Sequence, residues 1–254
     1  MPTNLTGRIA LVTGAGQGVG QGIALAMARA GAAVAVTGRT EAKLVETCAQ
    51  IEAFGGTAIP IACNVRSKDD IQSAVTETIA KLGGVDILVN NAQEVPLGAL
   101  TDVTDEAFIG GFESGPLATF RLMKLVYPEM VKRGGGTIFN LTSSATIRWD
   151  MSGYGAYAAV KQAIRSLTRA AAAEWGRDNI RVLSIAPHAD SPGIKWWMAN
   201  NPDEAAAFFK TIPLGRVGAC EADIGAALVA LCAPEMGYLT GATIPLDGGQ
   251  ANFD

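Results

Sequence analysis

Arg8-Ile9-Ala10-Leu11-Val12-Thr13 runs directly into Gly14-Ala15-Gly16-Gln17-Gly18-Val19-Gly20, and then into Ile23-Ala24-Leu25-Ala26-Met27-Ala28. The first block is short, apolar and β-branched, which predicts a buried strand, and the last has helical spacing. Strand, glycine turn and helix in that order make a phosphate site. Glycines let the backbone approach the anion, and the free N–H groups and dipole at the helix start favour its charge. Working outward, further apolar strands are predicted at residues 32–37, 58–62, 85–89, 137–142 and 180–185. Helical segments fall between them, at 41–54, 69–82 and from about 105 to 133. This alternation predicts an α/β fold, a doubly wound parallel sheet of about seven strands of Rossmann type, with ligand at the carboxyl ends of the strands.

The 254 residues suffice for one large core, and no Pro/Ser-rich linker, repeat or charge run divides them, so residues 1–254 are expected to form a single domain. The net charge of −4 with scattered basic residues leaves no electrostatic footprint for nucleic acid or an anionic membrane. The apolar runs end well short of the ~20 residues needed to cross a bilayer. Cys48, Cys63, Cys220 and Cys232 form no Cys-x-x-Cys pair and have no histidine cluster nearby, and the first residues lack the apolar region of a leader. A reducing, cytoplasmic setting is expected, with the cysteines as small core residues and no metal site.

Ser144 follows the strand at 137–142, and thirteen residues later come Tyr157 and Lys161. Four residues apart on a helix, the phenol and the ammonium project from one face. A cation within about 4 to 6 Å lowers an acid's pKa by roughly 1 to 3 units, so Lys161 is expected to make Tyr157 a usable proton donor. With the glycine turn and Asn90-Asn91-Ala92, this constellation resembles the short-chain dehydrogenase/reductase family over nearly the whole chain, in its carbonyl and alcohol oxidoreductase branch. The turn matches that family's Gly-x-x-x-Gly-x-Gly; a Gly-x-Gly-x-x-Gly fingerprint counted from Gly14 would need glycine at Val19. The resemblance implies Ser144, Tyr157 and Lys161 as catalytic groups and hydride transfer between a nicotinamide cofactor and a ketone or secondary alcohol. Lys161 would also hold the nicotinamide ribose.

Cofactor contacts carried over from the family fall on Gly14, Gln17, Gly18, Val19, Gly20, Asn64, Val65, Asn91, Ala92 and Pro187, as well as Tyr157 and Lys161. Where NAD-preferring relatives place an acid against the ribose 2′-hydroxyl, this chain has Gly38 followed by Arg39. A guanidinium can grip a 2′-phosphate through paired hydrogen bonds, so NADP is expected over NAD. The chain departs from the family at two places. Gln93 stands where the Asn-Asn-Ala motif ends in glycine; it either narrows the floor of the nicotinamide or substrate pocket or faces solvent. The family's catalytic asparagine, which helps hold a water linking the lysine to bulk solvent, falls on Gly115. Gly115-Pro116 should distort the helix and free a carbonyl. Either that carbonyl or another residue holds the water, or proton relay is impaired.

Substrate contacts are expected from Gln93, Thr146, Trp149, Tyr154, His188 and Trp196. His188, the chain's one histidine, either lines the cleft or simply packs. Ser191 stands one position before the place where relatives carry a threonine that holds the carboxamide. Residues 190–212 correspond to the family's mobile flap, and paired tryptophans there point to a bulky, apolar substrate or to packing on the core or a second subunit. The ending Thr240-Gly241-Ala242-Thr243-Ile244-Pro245-Leu246-Asp247-Gly248-Gly249 matches a family terminus that packs between subunits, implying a homotetramer or homodimer. Two rival readings stand beside the ketoreductase: an enoyl reductase using Tyr154, which has the Tyr-x6-Lys spacing to Lys161, and a catalytically impaired NADP-binding regulatory or scaffold protein.

Overall fold

The computed structural model describes residues 3–147, 153–251 and 253. Seven strands form one parallel sheet in the order β3-β2-β1-β4-β5-β6-β7. In chain order they are β1 (Ile9–Thr13), β2 (Ala33–Gly38), β3 (Thr57–Ala62), β4 (Ile87–Asn90), β5 (Gly136–Leu141), β6 (Ile180–Pro187) and β7 (Thr243–Leu246). The predicted strands and helices are present within a few residues of their expected limits. The strand order reverses between β1 and β4, which pair through Ala10 with Ile87 and Val12 with Val89. A crevice opens at the carboxyl side of such a reversal. Thr13 and Asn90 end the two strands there, and the glycine turn and Asn91 begin.

Alternation along each strand sends successive side chains to opposite faces. Ala10, Val12, Val34, Val36, Val89, Phe139, Leu183 and Ile185 pack on one side with helices α1 (Gly18–Arg29) and α2 (Glu41–Ala53). Leu11, Ala35, Leu88, Ile138 and Val182 pack on the other with α3 (Lys68–Leu82) and with residues of a long helical stretch, 105–132. That stretch consists of α4 (Asp105–Phe112), a π-helical turn at Glu113–Leu117 and α5 (Ala118–Lys132). Pro116 has no N–H to donate and Gly115 no side chain, so the expected distortion takes the form of a widened turn. The remaining helices are α6 (Gly155–Trp175), α7 (Pro192–Asn200), α8 (Pro202–Phe209) and α9 (Ala226–Leu231), the last preceded by a π turn at Cys220–Gly225. No helix among the described residues is long and apolar enough to cross a membrane.

At the opposite end of the sheet, the Asp86 side chain is buried, 2% exposed. It is paired with Arg133 through Nε at 2.8 Å and Nη2 at 2.9 Å, and it accepts from the Ile9 N–H at 2.8 Å. The bidentate pair ties α5 to the start of β1 and β4. Asp86→Ala should lower unfolding free energy by about 3 kcal/mol or more, because it strands a part-buried guanidinium and an orphaned strand N–H. Urea denaturation checks this, and a loss under about 1 kcal/mol would count the pair as a surface one.

Candidate active site

Lys161 is 4% exposed on the first turns of α6, and its Nζ donates to the Leu141 carbonyl at 2.6 Å. The same nitrogen lies 5.6 Å from the centroid of the Tyr157 ring. Thr142 Oγ1 donates to the Lys161 carbonyl at 3.3 Å, so the end of β5 and the start of α6 hold one another. Beneath them a buried relay of amides and hydroxyls spans the sheet: Asn90 Nδ2 donates to Asn140 Oδ1 at 2.8 Å, Asn140 Nδ2 to Thr168 Oγ1 at 2.9 Å, and Ser184 Oγ to Thr168 Oγ1 at 2.9 Å. Polar contacts in a dry interior fix geometry more strictly than apolar packing does, although Asn90 Oδ1 itself is buried without a partner.

The electrostatics differ from the sequence expectation. Burial pushes the Tyr157 phenol up to about 12, opposed by a hydrogen bond from Ser143 and reinforced by nearby Tyr154. Burial also pulls the Lys161 ammonium down to about 7. Lys161 therefore does not lower the phenol in this structure: the amine lies over the ring and on the Leu141 carbonyl, and desolvation dominates both groups. A phenolate and an ammonium formed together would relieve both penalties, which couples the two titrations.

A side-chain hydrogen bond from Ser143, the neighbour of the Ser144 expected from the thirteen-residue spacing, reaches Tyr157. Ser143 is also the N-cap of the short 3-10 turn Ser144–Thr146, its Oγ accepting from the Ala145 N–H at 3.1 Å. That holds its side chain in place, and Ser144 is the first residue inside the turn.

The glycine turn has the shape of a pyrophosphate cradle. Gly14 and Gly18 have φ of +65° and +58°, and a Cβ on Gly20 would stand 2.4 Å from the Gly14 carbonyl oxygen and from Asn91 Nδ2. Gln17 gives α1 no side-chain cap, so the first-turn N–H groups remain donors for an anion. Asn91 Nδ2 donates to the Thr13 carbonyl at 2.8 Å, while the Asn91 and Ala92 N–H groups donate to Thr13 Oγ1 at 2.9 and 3.0 Å. The turn after β1 and the turn after β4 are thus one rigid unit. It is continuous with the Tyr157–Lys161 segment: Ala92 borders Gly14, Gln93 borders Gly115, and Gly115 touches Val160, the neighbour of Lys161. A nicotinamide dinucleotide fits these residues.

Comparison with known proteins agrees. The family model described as Enoyl-(Acyl carrier protein) reductase matches residues 14–251. A 12alpha-hydroxysteroid dehydrogenase from a Clostridium species is 37% identical over 252 residues, 96% of each chain. The chain belongs to the short-chain dehydrogenase/reductase family. A solved 7 alpha-hydroxysteroid dehydrogenase, complexed with NADH and 7-oxo glycochenodeoxycholic acid, superimposes with a TM-score of 0.93 at 33% identity, covering 98% of this chain and 96% of that one. The peroxisomal 2,4-dienoyl-CoA reductase of Danio rerio is 32% identical over 98% of this chain and 83% of its own. This short-chain dehydrogenase/reductase is thus an oxidoreductase of a nicotinamide-using family.

The other carried-over residues of this dehydrogenase/reductase have the following partners in the fold. Asn64 Oδ1 accepts from the Arg66 N–H at 3.1 Å, so it shapes a turn, with Val65 buried beside it. Thr146 Oγ1 donates to the Ser143 carbonyl at 2.9 Å and accepts from Arg165 at 3.3 Å, a brace under Ser143. Ser191 Oγ caps α7, accepting from the Ile194 N–H at 3.4 Å. Trp196 is 66% exposed; it is Trp197 that packs edge-on against Phe208 and Phe209, whose rings lie 5.2 and 6.4 Å from His188. Pro187 ends β6 beside Leu246, and Val19 packs on the core. Tyr154 is 42% exposed at the start of α6, with its ring 6.3 Å from that of Tyr157. Trp149 lies outside the described residues.

One cation escaped the sequence reading. Lys43, in the first turn of α2, donates to Gln17 Oε1 and backs Gly16. It lies on the side of the cradle where β2 ends in Gly38 and Arg39. Arg39 in turn pairs with Glu94 at 3.1 Å, and Glu94 is shared with Arg66. A basic residue four positions after Arg39, in the first turn of a helix, was the available signal.

Proposed function

We propose that this enzyme transfers a hydride between NADP(H) and a ketone or secondary alcohol on a bulky, rigid, largely apolar molecule of the hydroxysteroid class. The observation that carries the proposal is the convergence of Ser143, Tyr157 and Lys161 beside a rigid glycine cradle. When bound, the nicotinamide supplies or accepts the hydride. The chain supplies the rest. Tyr157 gives its phenolic proton to the carbonyl oxygen in reduction and takes it back in oxidation. Ser143 donates to the same oxygen as charge develops there. Lys161 offsets the phenolate that remains and holds the nicotinamide ribose.

The hydroxysteroid class is supported by the named relatives and by the apolar side chains near the start of α6. Gly155 abuts Leu100, and Gly98 N–H donates to the Gly153 carbonyl at 2.9 Å, so the loop after β4 lies against the Tyr154 turn and presents exposed Leu97 and Leu100. Residues 190–212 act as the flap, a reading supported by Pro192, which a Cβ on Gly18 would meet at 3.0 Å. An enoyl reductase is the second reading, favoured by the description of the matching family and by Tyr154 beside Tyr157. Phe108, Ile109, Phe112, Leu117 and Phe120 line an apolar groove of about 470 Å³ on the outside of α4 and α5, which supports burial between copies in a homotetramer or homodimer. Four free thiols fit a cytoplasmic setting.

Oxidation of NADPH and NADH against a panel of oxosteroids, cyclic ketones and enoyl thioesters tests the assignment. Turnover of oxosteroids with NADPH is the expected result; turnover of enoyl thioesters alone would move the assignment to the second reading, and binding without any turnover would leave a scaffold. For the cofactor, Arg39 and Lys43 carry the choice. Arg39→Ala should weaken NADPH by roughly tenfold or more and NADH by about twofold at most, the loss expected for a charge-assisted phosphate contact. Equal effects in a fluorescence titration would remove the basis for NADP.

A further inference from the structure

Four charged side chains of alternating sign run along the rim of the crevice. Arg39, one residue past the end of β2, donates through Nη1 to Glu94 Oε1 at 3.1 Å. Glu94 Oε2 lies 3.4 Å from Arg66 Nη1, and Arg66 is in turn held by Glu113 Oε2, through Nε at 2.9 Å and Nη2 at 2.7 Å. Because β2 lies on one side of β1 in the sheet and β4 on the other, the pair of Arg39 with Glu94 joins the two sides of β1 at its carboxyl end. The glycine cradle starts there: the Ala15 N–H donates to the Thr37 carbonyl at 3.0 Å, and a Cβ on Gly38 would stand 4.0 Å from Gly14 Cα. Arg39 is thus anchored beside the cradle while its charge is drawn toward the β4 loop.

The members of this row are not equally fixed. Glu94 is seated firmly: its N–H donates to Ser114 Oγ at 3.0 Å, and its carboxylate fits over Gly110, where an added Cβ would meet Oε2 at 3.0 Å. With two oxygens on two guanidinium groups, it keeps one partner if the other leaves. Arg66 has Glu113 besides. Arg39 is held most loosely: its side chain is 68% exposed, and among the described residues its guanidinium makes this one ion pair. An exposed ion pair of this kind is weak, and a phosphate offering paired, charge-assisted hydrogen bonds outcompetes it. A bare hydroxyl does not.

We propose that Glu94 is a specificity-determining residue for the cofactor: it parks Arg39 beside the cradle when the adenosine ribose carries a 2′-hydroxyl, and releases it to the 2′-phosphate of NADP(H) while staying paired with Arg66. Glu94 therefore acts against NADPH twice, by holding the cation the phosphate needs and by adding a carboxylate to the surroundings of that anion. With NADH there is no such competition, and Arg39 keeps its partner instead of standing as an unmatched cation. The enzyme accordingly takes both cofactors, with a preference for NADPH that Glu94 moderates. The proposal rests on the assignment of Arg39 to the 2′-phosphate made above.

The test uses the full-length protein without substrate, titrated with NADPH and NADH by fluorescence at low ionic strength, where exposed charges are least screened. Glu94→Gln keeps the shape of the side chain and removes its charge. It is expected to tighten NADPH by about threefold to tenfold and to leave NADH within about twofold, with the Tm of the cofactor-free protein within about 2 °C of wild type. A double-mutant cycle with Arg39→Ala isolates the parking: in that background Glu94→Gln should gain less than about twofold for NADPH. Unchanged NADPH affinity in Glu94→Gln, while Arg39→Ala still weakens NADPH, overturns the inference and leaves the cofactor assignment standing. A gain that persists undiminished without Arg39 also overturns it, since repulsion alone would then be at work. So does a selective loss of NADH affinity in Glu94→Gln, which would make Glu94 an acceptor for the ribose hydroxyl. Equal effects of Arg39→Ala on the two cofactors would remove the assignment itself and the inference with it.

Discussion

Tyr157→Phe is expected to reduce kcat by roughly 10³-fold or more while leaving the dissociation constant for NADPH within about twofold. The substitution removes a single oxygen. The ring keeps its edge contact with Tyr154 and its place under Lys161, so neither α6 nor the cradle is disturbed. What disappears is the proton donor and the acceptor of the Ser143 hydrogen bond. Ser143→Ala should cost roughly 10²-fold, the loss expected on deleting one donor to a developing oxyanion, whereas Ser144→Ala should stay within about threefold. Tyr154→Phe should also stay within about threefold, because that ring borders the phenol without replacing it. Steady-state kinetics with parallel NADPH fluorescence titrations check all four variants. If Tyr154→Phe is the inactive one, carbon–carbon double-bond reduction becomes the better reading; if Ser144→Ala is, the hydroxyl was correctly placed by spacing and misplaced by geometry.

That last contrast shows what the sequence could and could not convey. Strand ends were legible because β-branched runs break into glycine or serine at places backbone chemistry dictates, and Gly115-Pro116 announced a helix defect because proline removes a donor wherever it sits. Spacing across a loop is weaker. The interval from Ser143 or Ser144 to Tyr157 crosses a connection whose length no hydrogen-bond ladder fixes, so a count of thirteen does not by itself choose between two adjacent hydroxyls. Trp196 and Trp197 raise the same difficulty on a helix, where neighbours point about 100° apart and only packing on Phe208 and Phe209 tells which turns inward. The engagement of Arg39 by Glu94 joins residues 55 positions apart. The contact of Gln93 with Gly115 was invisible for the same reason: each reads as a separate departure until the fold sets them side by side.

Lys161→Met should abolish turnover and yet raise Tm at pH 6, by about 5 °C or more. Burial holds the ammonium's pKa near 7 in the fold, against 10.5 for the free side chain. Below about pH 7 both folded and unfolded chains carry the proton, and the fold bears the whole cost of a dehydrated charge. Between about 7 and 10.5 the unfolded chain binds the proton and the fold does not, so wild-type stability contributed by this group rises with pH. Methionine neither titrates nor pays that cost, and its unbranched stem fits the same channel. The advantage of the variant should thus be greatest at pH 6 and shrink steadily toward pH 10. It is offset by the Leu141 carbonyl left without its donor, a loss of about 1 to 3 kcal/mol that does not depend on pH. The slope of the difference therefore decides the matter, more than its size at any one pH. Tm measured for both proteins at intervals from pH 6 to 10 gives that slope, and parallel curves would mean that Lys161 keeps an ordinary proton affinity and that its position, not its strained charge, serves Tyr157.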